Sequence, residues 1–171
     1  NKRFSLVLTG GKSPINLYRK LVKSKIDWSN IDLFWGDERF VSQKSTNSNY
    51  KIAYNNFIKK IKINKKNLFP INTKMKSIYK SSESYSKLIK NYFKKKKISF
   101  DCFILGMGKD GHIASIFPCS DELTTKFIAK PVYREDFNRI TLSLNVINNS
   151  KKTILWLNNK FICKKFNKLR T

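Results

Sequence analysis

Histidine occurs once in this sequence, cysteine three times, proline four times and glycine six times. A single histidine excludes a His-rich metal centre. Cys102, Cys119 and Cys163 are odd in number, far apart and form no CxxC pair, which argues against a disulfide framework or a zinc site and fits a reducing cytosol. No apolar run approaches the ~20 residues of a membrane span. No signal or transit pattern precedes the first apolar stretch, so the expectation is a cytoplasmic protein with no membrane association. Acidic residues are scarce too, with 11 Asp plus Glu against 36 Lys plus Arg and a net charge of +25. A balance that basic raises a nucleic-acid-binding module as one reading.

The rest of the composition points elsewhere. Only six of the cations are Arg, while Lys, Asn, Ile, Phe and Tyr fill 87 of 171 positions and Gly, Ala, Arg and Pro fill 19. The enriched residues have A/T-rich codons and the depleted ones G/C-rich codons. A surface selected to grip phosphodiesters would carry clustered Arg with interleaved aromatics. The charge therefore reads as compositional background, and no nucleic-acid partner is expected. The run Lys94 to Lys97 reads as a solvated helix end, where cations suit the helix dipole. Hydrophobic content of 40% excludes a disordered chain, and the length fits one domain, residues 1–171, with its own core.

Apolar runs at 4–9, 31–35 and 100–105 predict buried strands, with further strands at 127–133, 139–145 and 153–157. Ser13 is placed to cap a helix that opens at Pro14 and continues through Leu17, Tyr18, Leu21 and Val22. A second helix is expected over 48–62 and a third around Tyr85, Leu88, Ile89, Tyr92 and Phe93, with 63–79 irregular and a last helix from about 160. Strands alternating with helices imply βαβ units: one α/β domain, Rossmann-like, with a mainly parallel sheet flanked by helices.

All six glycines fall in three segments, each directly after a predicted strand: Gly10-Gly11, Gly36, and Gly106, Gly108 and Gly111, with His112 attached to the third. Loops at the carboxyl ends of strands form the ligand crevice of open α/β sheets. Glycines also simply make tight turns, but that reading does not explain three such loops together. A P-loop would need glycine five residues before Gly11, where Leu6 stands. Gly106-x-Gly108-x-x-Gly111 matches a dinucleotide fingerprint, yet Pro118 cuts short any full-length helix after it. Asp37-Glu38-Arg39 sets carboxylates beside a guanidinium, Asp110-Gly-His112 sets a carboxylate beside an imidazole suited to general base catalysis, and Arg139 keeps a planar fork in a chain that prefers Lys.

Taken together, four segments resemble the 6-phosphogluconolactonase family, within the wider group of glucosamine-6-phosphate isomerases/deaminases. They are Leu8-Thr9-Gly10-Gly11-Lys12-Ser13-Pro14, Trp35-Gly36-Asp37-Glu38-Arg39 with Ser48-Asn49-Tyr50, Gly106 through Pro118, and Arg139-Ile-Thr-Leu-Ser143. Phe117 stands where the deaminase branch carries a glutamate, which favours the lactonase branch. The resemblance implies hydrolysis of 6-phosphogluconolactone in the oxidative pentose phosphate pathway, with no cofactor and no metal. It implies His112 as general base toward water and Asp110 as its orienting partner. Gly10, Gly11, Lys12 and Ser13, with Arg39 and Arg139, would hold the 6-phosphate. Asp37 would line the site, and amides of the loop that includes Gly108 would face the developing oxyanion. It also implies a chain that lacks the family's N-terminal helix and C-terminal strand and helix. The family's phosphate-facing lysine falls at Ile162, with Lys160 as a substitute. A deaminase-like enzyme, a decayed sugar-phosphate binder and a basic nucleic-acid module are the alternatives.

Overall fold

In the computed structural model, which describes residues 3–118, 120 and 127–157, the apolar runs become the centre of a five-stranded parallel sheet. Its strands are β1 (Phe4–Leu8), β2 (Ile31–Trp35), β4 (Leu68–Phe69), β5 (Cys102–Leu105) and β8 (Thr153–Leu155), in the order β4-β2-β1-β5-β8. Strands β2 and β5 are buried along their whole length, so both sheet faces are covered and the runs carry no polar alternation. Helices α1 (Ile15–Val22), α2 (Asn49–Asn56) and α3 (Ile78–Tyr92) pack on the sheet around Tyr18, Phe57, Tyr85 and Ile89.

The order of strands fixes where a site can form. From the central β1 the chain moves to β2 on one side, and β5 lies on the other. The loops leaving β1 and β5 therefore diverge, opening a crevice at the switch point above their carboxyl ends. A second, antiparallel sheet closes over this crevice, with β3 (Asp37–Arg39), β7 (Arg139–Leu142) and β6 (Ala129–Val132) in the order β3-β7-β6.

Several expectations change in detail. Ser13 does not cap α1; Pro14 takes the N-cap position and the helix begins at Ile15, leaving Ser13 on the cavity wall. The helix expected over 48–62 stops at Asn56, because Phe57 leaves helical geometry (φ −138°) to enter the core between Tyr18 and Trp28. The strand expected over 139–145 ends at Leu142, where Ser143 accepts the Val146 amide and starts α4 (Leu144–Asn148). Within the segment read as irregular, Leu68–Phe69 pairs with β2 as an edge strand. The helix expected from 160, with Cys119, Lys160, Ile162 and Cys163, lies outside the described residues. No helix among the described residues is long and apolar enough to cross a membrane.

Candidate active site

Three of the glycine segments meet at the crevice. Thr9 Oγ1 accepts the Gly106 N–H at 2.9 Å, tying the β1 loop to the β5 loop. Gly11 N–H donates to Asn49 Oδ1 at 3.0 Å. The same side chain donates from Nδ2 to the Asp37 carbonyl at 3.1 Å and to Asp37 Oδ1 at 3.2 Å. Asn49 thus joins the β1 loop, β3 and the start of α2 through one amide. A Cβ on Gly10 would lie 2.0 Å from Asn49 Nδ2, so only glycine fits there.

The acidic pair at the end of β2 splits in function. Asp37 points into the cavity, and its Oδ2 accepts the Ser115 hydroxyl at 2.7 Å. Burial pushes the Asp37 carboxyl up from its ordinary value, against the Ser115 hydrogen bond and the fields of His112, Arg139 and Arg39. Glu38 points away from the cavity, into the first turn of α2. It accepts the Asn49 amide at 2.7 Å, the Tyr50 amide at 2.8 Å, the Arg39 amide at 2.9 Å and the Ser48 hydroxyl at 3.1 Å. Burial drives its pKa up to about 7, opposed mainly by the Tyr50 and Asn49 amides. A buried carboxylate that accepts three donors at a helix N-terminus, and a fourth from its own strand, has a structural role there.

The β5 loop presents the histidine. His112 Nδ1 lies 2.6 Å from Asp110 Oδ1, and its backbone amide reaches the same oxygen at 3.3 Å. Partial burial works against ionisation of Asp110 but is outweighed by these two hydrogen bonds, so its pKa falls below the ordinary carboxylate value. With the Asp110 carboxylate on Nδ1, the neutral form of the imidazole carries its proton on Nδ1 and leaves Nε2 as the acceptor. A Cβ on Gly108 would come within 2.3 Å of the His112 ring, which makes that glycine a condition of the pair. Gly111 (φ 96°) and Ala114 (φ 49°) turn the loop sharply enough for Ser115 to return to Asp37 and Thr141.

The structure brings Gly10, Gly11 and Ser13 of the first loop, Asp37 and Arg39 of β3, Gly108 and His112 of the β5 loop and Arg139 of β7 onto one cavity of about 160 Å³. Lys12 is exposed and is absent from the cavity wall. Three of the β5-loop amides, from which oxyanion donors are expected, are engaged within the fold. Gly106 N–H is held by Thr9, Gly108 N–H by the His112 carbonyl at 2.8 Å and Gly111 N–H by the Gly108 carbonyl at 3.1 Å. Asn49 and Ser115, quoted in the motifs but assigned no role, connect the site; Asn49 hides among 18 asparagines.

Arg39 and Arg139 stand directly opposite each other across the β3–β7 ladder, and both border the cavity. Like charges in that register repel, with Cβ atoms about 5 Å apart, unless an anion lies between them. Arg139 is buried and bonded to Asp136, while Arg39 donates to the Asn47 carbonyl at 2.9 Å. The two guanidiniums give the cavity a cationic wall, and the Gly10-Gly11 turn and His112 line the same cavity.

Residues 1–160 match the family described as glucosamine-6-phosphate isomerases/6-phosphogluconolactonase. The chloroplastic 6-phosphogluconolactonase 3 of Arabidopsis thaliana is 34% identical over 169 residues, which cover 89% of this chain and 51% of the relative. The crystal structure of a 6-phosphogluconolactonase from Thermotoga maritima superposes with a TM-score of 0.89 at 28% identity, over 99% of this chain and 77% of that one. A monomeric glucosamine-6-phosphate deaminase superposes with a TM-score of 0.84 at 20% identity over 99% of this chain, a likeness of fold alone. The chain spans between about half and two thirds of the length of the first curated relatives it matches.

Proposed function

The chain belongs to the glucosamine-6-phosphate isomerase/6-phosphogluconolactonase family, and on that premise we propose that it hydrolyses 6-phospho-D-glucono-1,5-lactone to 6-phosphogluconate. The observation that carries the reading is the opposed Arg39–Arg139 pair on the same cavity as His112, whose Nδ1 is held by Asp110 behind the cavity wall. The guanidiniums suit a phosphate dianion and the imidazole suits the activation of water.

In this mechanism the two guanidiniums and the Gly10–Ser13 turn hold the 6-phosphate, which positions C1 beside His112. Asp110 keeps the proton on Nδ1, and Nε2 takes a proton from water as the water oxygen bonds to C1. The tetrahedral intermediate collapses by breaking the bond from C1 to the ring oxygen, which takes the proton from His112 and becomes the C5 hydroxyl. The new acid ionises to a carboxylate. Asp37, held between Asn49 and Ser115, fixes the wall against which the sugar lies. A lactone is an activated ester, so this chemistry calls for a base, a positioned water and a home for the negative charge.

Phe117 supports lactone chemistry over deamination. Its ring packs 4.7 Å from the His112 ring and supplies no carboxylate for the acid–base relay of an isomerase. The test is hydrolysis of freshly prepared lactone by the purified chain, corrected for the spontaneous rate. Glucosamine 6-phosphate serves as a second substrate, and oligonucleotide binding is measured at two salt concentrations. Lactone turnover with no deamination supports the proposal. Sugar-phosphate binding without turnover, or steeply salt-dependent oligonucleotide binding as the sole activity, refutes it.

A further inference from the structure

Lactone hydrolysis creates a negative charge at C1 that the substrate does not have. If the reaction assigned above is the right one, a donor must await that charge beside His112. The amides of Gly106, Gly108 and Gly111 are already bonded within the fold, and Arg139 is bonded to Asp136 and set opposite Arg39. A second cleft opens on the other side of His112 and Arg139, lined also by Phe117, Arg134 and Asn138.

Arg134 lies in this cleft with its guanidinium carbon 4.3 Å from the centroid of the Phe117 ring. The same ring contacts His112 at 4.7 Å and Arg139 at 5.5 Å. Phe117 is buried and so offers a fixed platform, and stacking leaves the edge of the guanidinium, with its donors, available. Among the described residues Arg134 makes no hydrogen bond or ion pair, whereas the neighbouring carboxylates Asp110 and Asp136 are committed to His112 and Arg139. Glu135, the remaining acid of the cleft, forms no ion pair with it.

We propose that Arg134, stacked on Phe117, binds the oxygen that becomes negative at C1 and then the carboxylate of the product, making the second cleft a carboxylate subsite. Arg39 and Arg139 hold one anionic end of the product and Arg134 holds the other.

Equilibrium binding tests this without requiring turnover. The parent chain, Arg134→Ala and Arg134→Lys are titrated with 6-phosphogluconate and with glucose 6-phosphate, which has the phosphate and no carboxylate. The parent should prefer 6-phosphogluconate. Arg134→Ala should weaken 6-phosphogluconate about tenfold or more, the usual scale of a lost charge-assisted hydrogen bond, and leave glucose 6-phosphate unchanged. Arg134→Lys should restore part of the preference. In turnover, Arg134→Ala should lower kcat more than it raises KM, because the charge forms only in the transition state. Arg134 is exposed, and unchanged melting temperatures establish that the variants fold. Equal weakening of both ligands, or no change in the preference, overturns the subsite. A parent that hydrolyses no lactone yet shows the Arg134-dependent preference defeats the proposed reaction and leaves the subsite standing.

Discussion

Replacing Gly10 by alanine adds one methyl group to a residue whose φ is unremarkable, so the effect should be steric and confined to one neighbour. The new Cβ would lie 2.0, 2.2 and 2.4 Å from Nδ2, Cγ and Oδ1 of Asn49. Asn49 is buried, and its amide makes three hydrogen bonds, to Gly11 N–H, the Asp37 carbonyl and Asp37 Oδ1. Displacing it forfeits those bonds at about 1 kcal/mol each, or about 2–4 kcal/mol in all once the buried Asp37 loses a partner. For a chain of this size that corresponds to a fall in Tm of about 4–16 °C. The assay is a double-mutant cycle by thermal or urea unfolding with Asn49→Ala. Because Asn49→Ala removes the obstructing amide and the same three bonds, Gly10→Ala should cost little more in that background. Strictly additive costs, or a harmless Gly10→Ala, would refute the argument that glycine is required here by Asn49.

Three further outcomes follow from the same geometry. Arg39→Gln should raise the Kd for glucose 6-phosphate about tenfold or more while leaving the unliganded Tm unchanged or higher, since it relieves the opposed guanidiniums; calorimetry and thermal melts with and without ligand check both signs. Because its partners depress the Asp110 pKa, the stability it contributes is present above its unfolded value near 3.8 and is lost as pH falls through the lower folded value. An acid limb of kcat/KM at higher pH therefore belongs to another group, and a pH–rate profile of Asp110→Asn should retain that limb while turnover drops about tenfold or more. Glu38→Gln puts an amide N–H against donors that now meet a carboxylate and should destabilise the fold by about 1–3 kcal/mol in urea unfolding, since the Asn49 and Tyr50 amides share one acceptor oxygen where they had two.

What the sequence disclosed depended on contrast with its own background. Strands β1, β2 and β5 were legible because they are almost wholly buried and mostly apolar, and the site loops because glycine is rare in this chain. Strand β3 carries Asp-Glu-Arg, which has no strand signature of its own; its extended form comes from pairing with β7. The alternation Ile140, Leu142, Leu144, Val146 suited a longer strand, but the Ser143 cap turned its second half into α4. The His112–Asp110 contact follows from close spacing, whereas Arg39 facing Arg139 depends on a register 100 positions apart. Glu38 and Lys12 sit beside site residues in sequence, and only the fold shows that one accepts the first amides of α2 and the other faces solvent.

The most direct measurement compares steady-state lactone hydrolysis by the parent chain and by His112→Asn, each corrected for the spontaneous rate, with glucose 6-phosphate affinity measured on both. Loss of the general base should lower kcat by about 10²–10⁴-fold while the phosphosugar binds as before, because Arg39 and Arg139 are untouched. A folded His112→Asn variant that hydrolyses the lactone as fast as the parent would contradict the assignment of His112 as the base on which the proposed reaction depends.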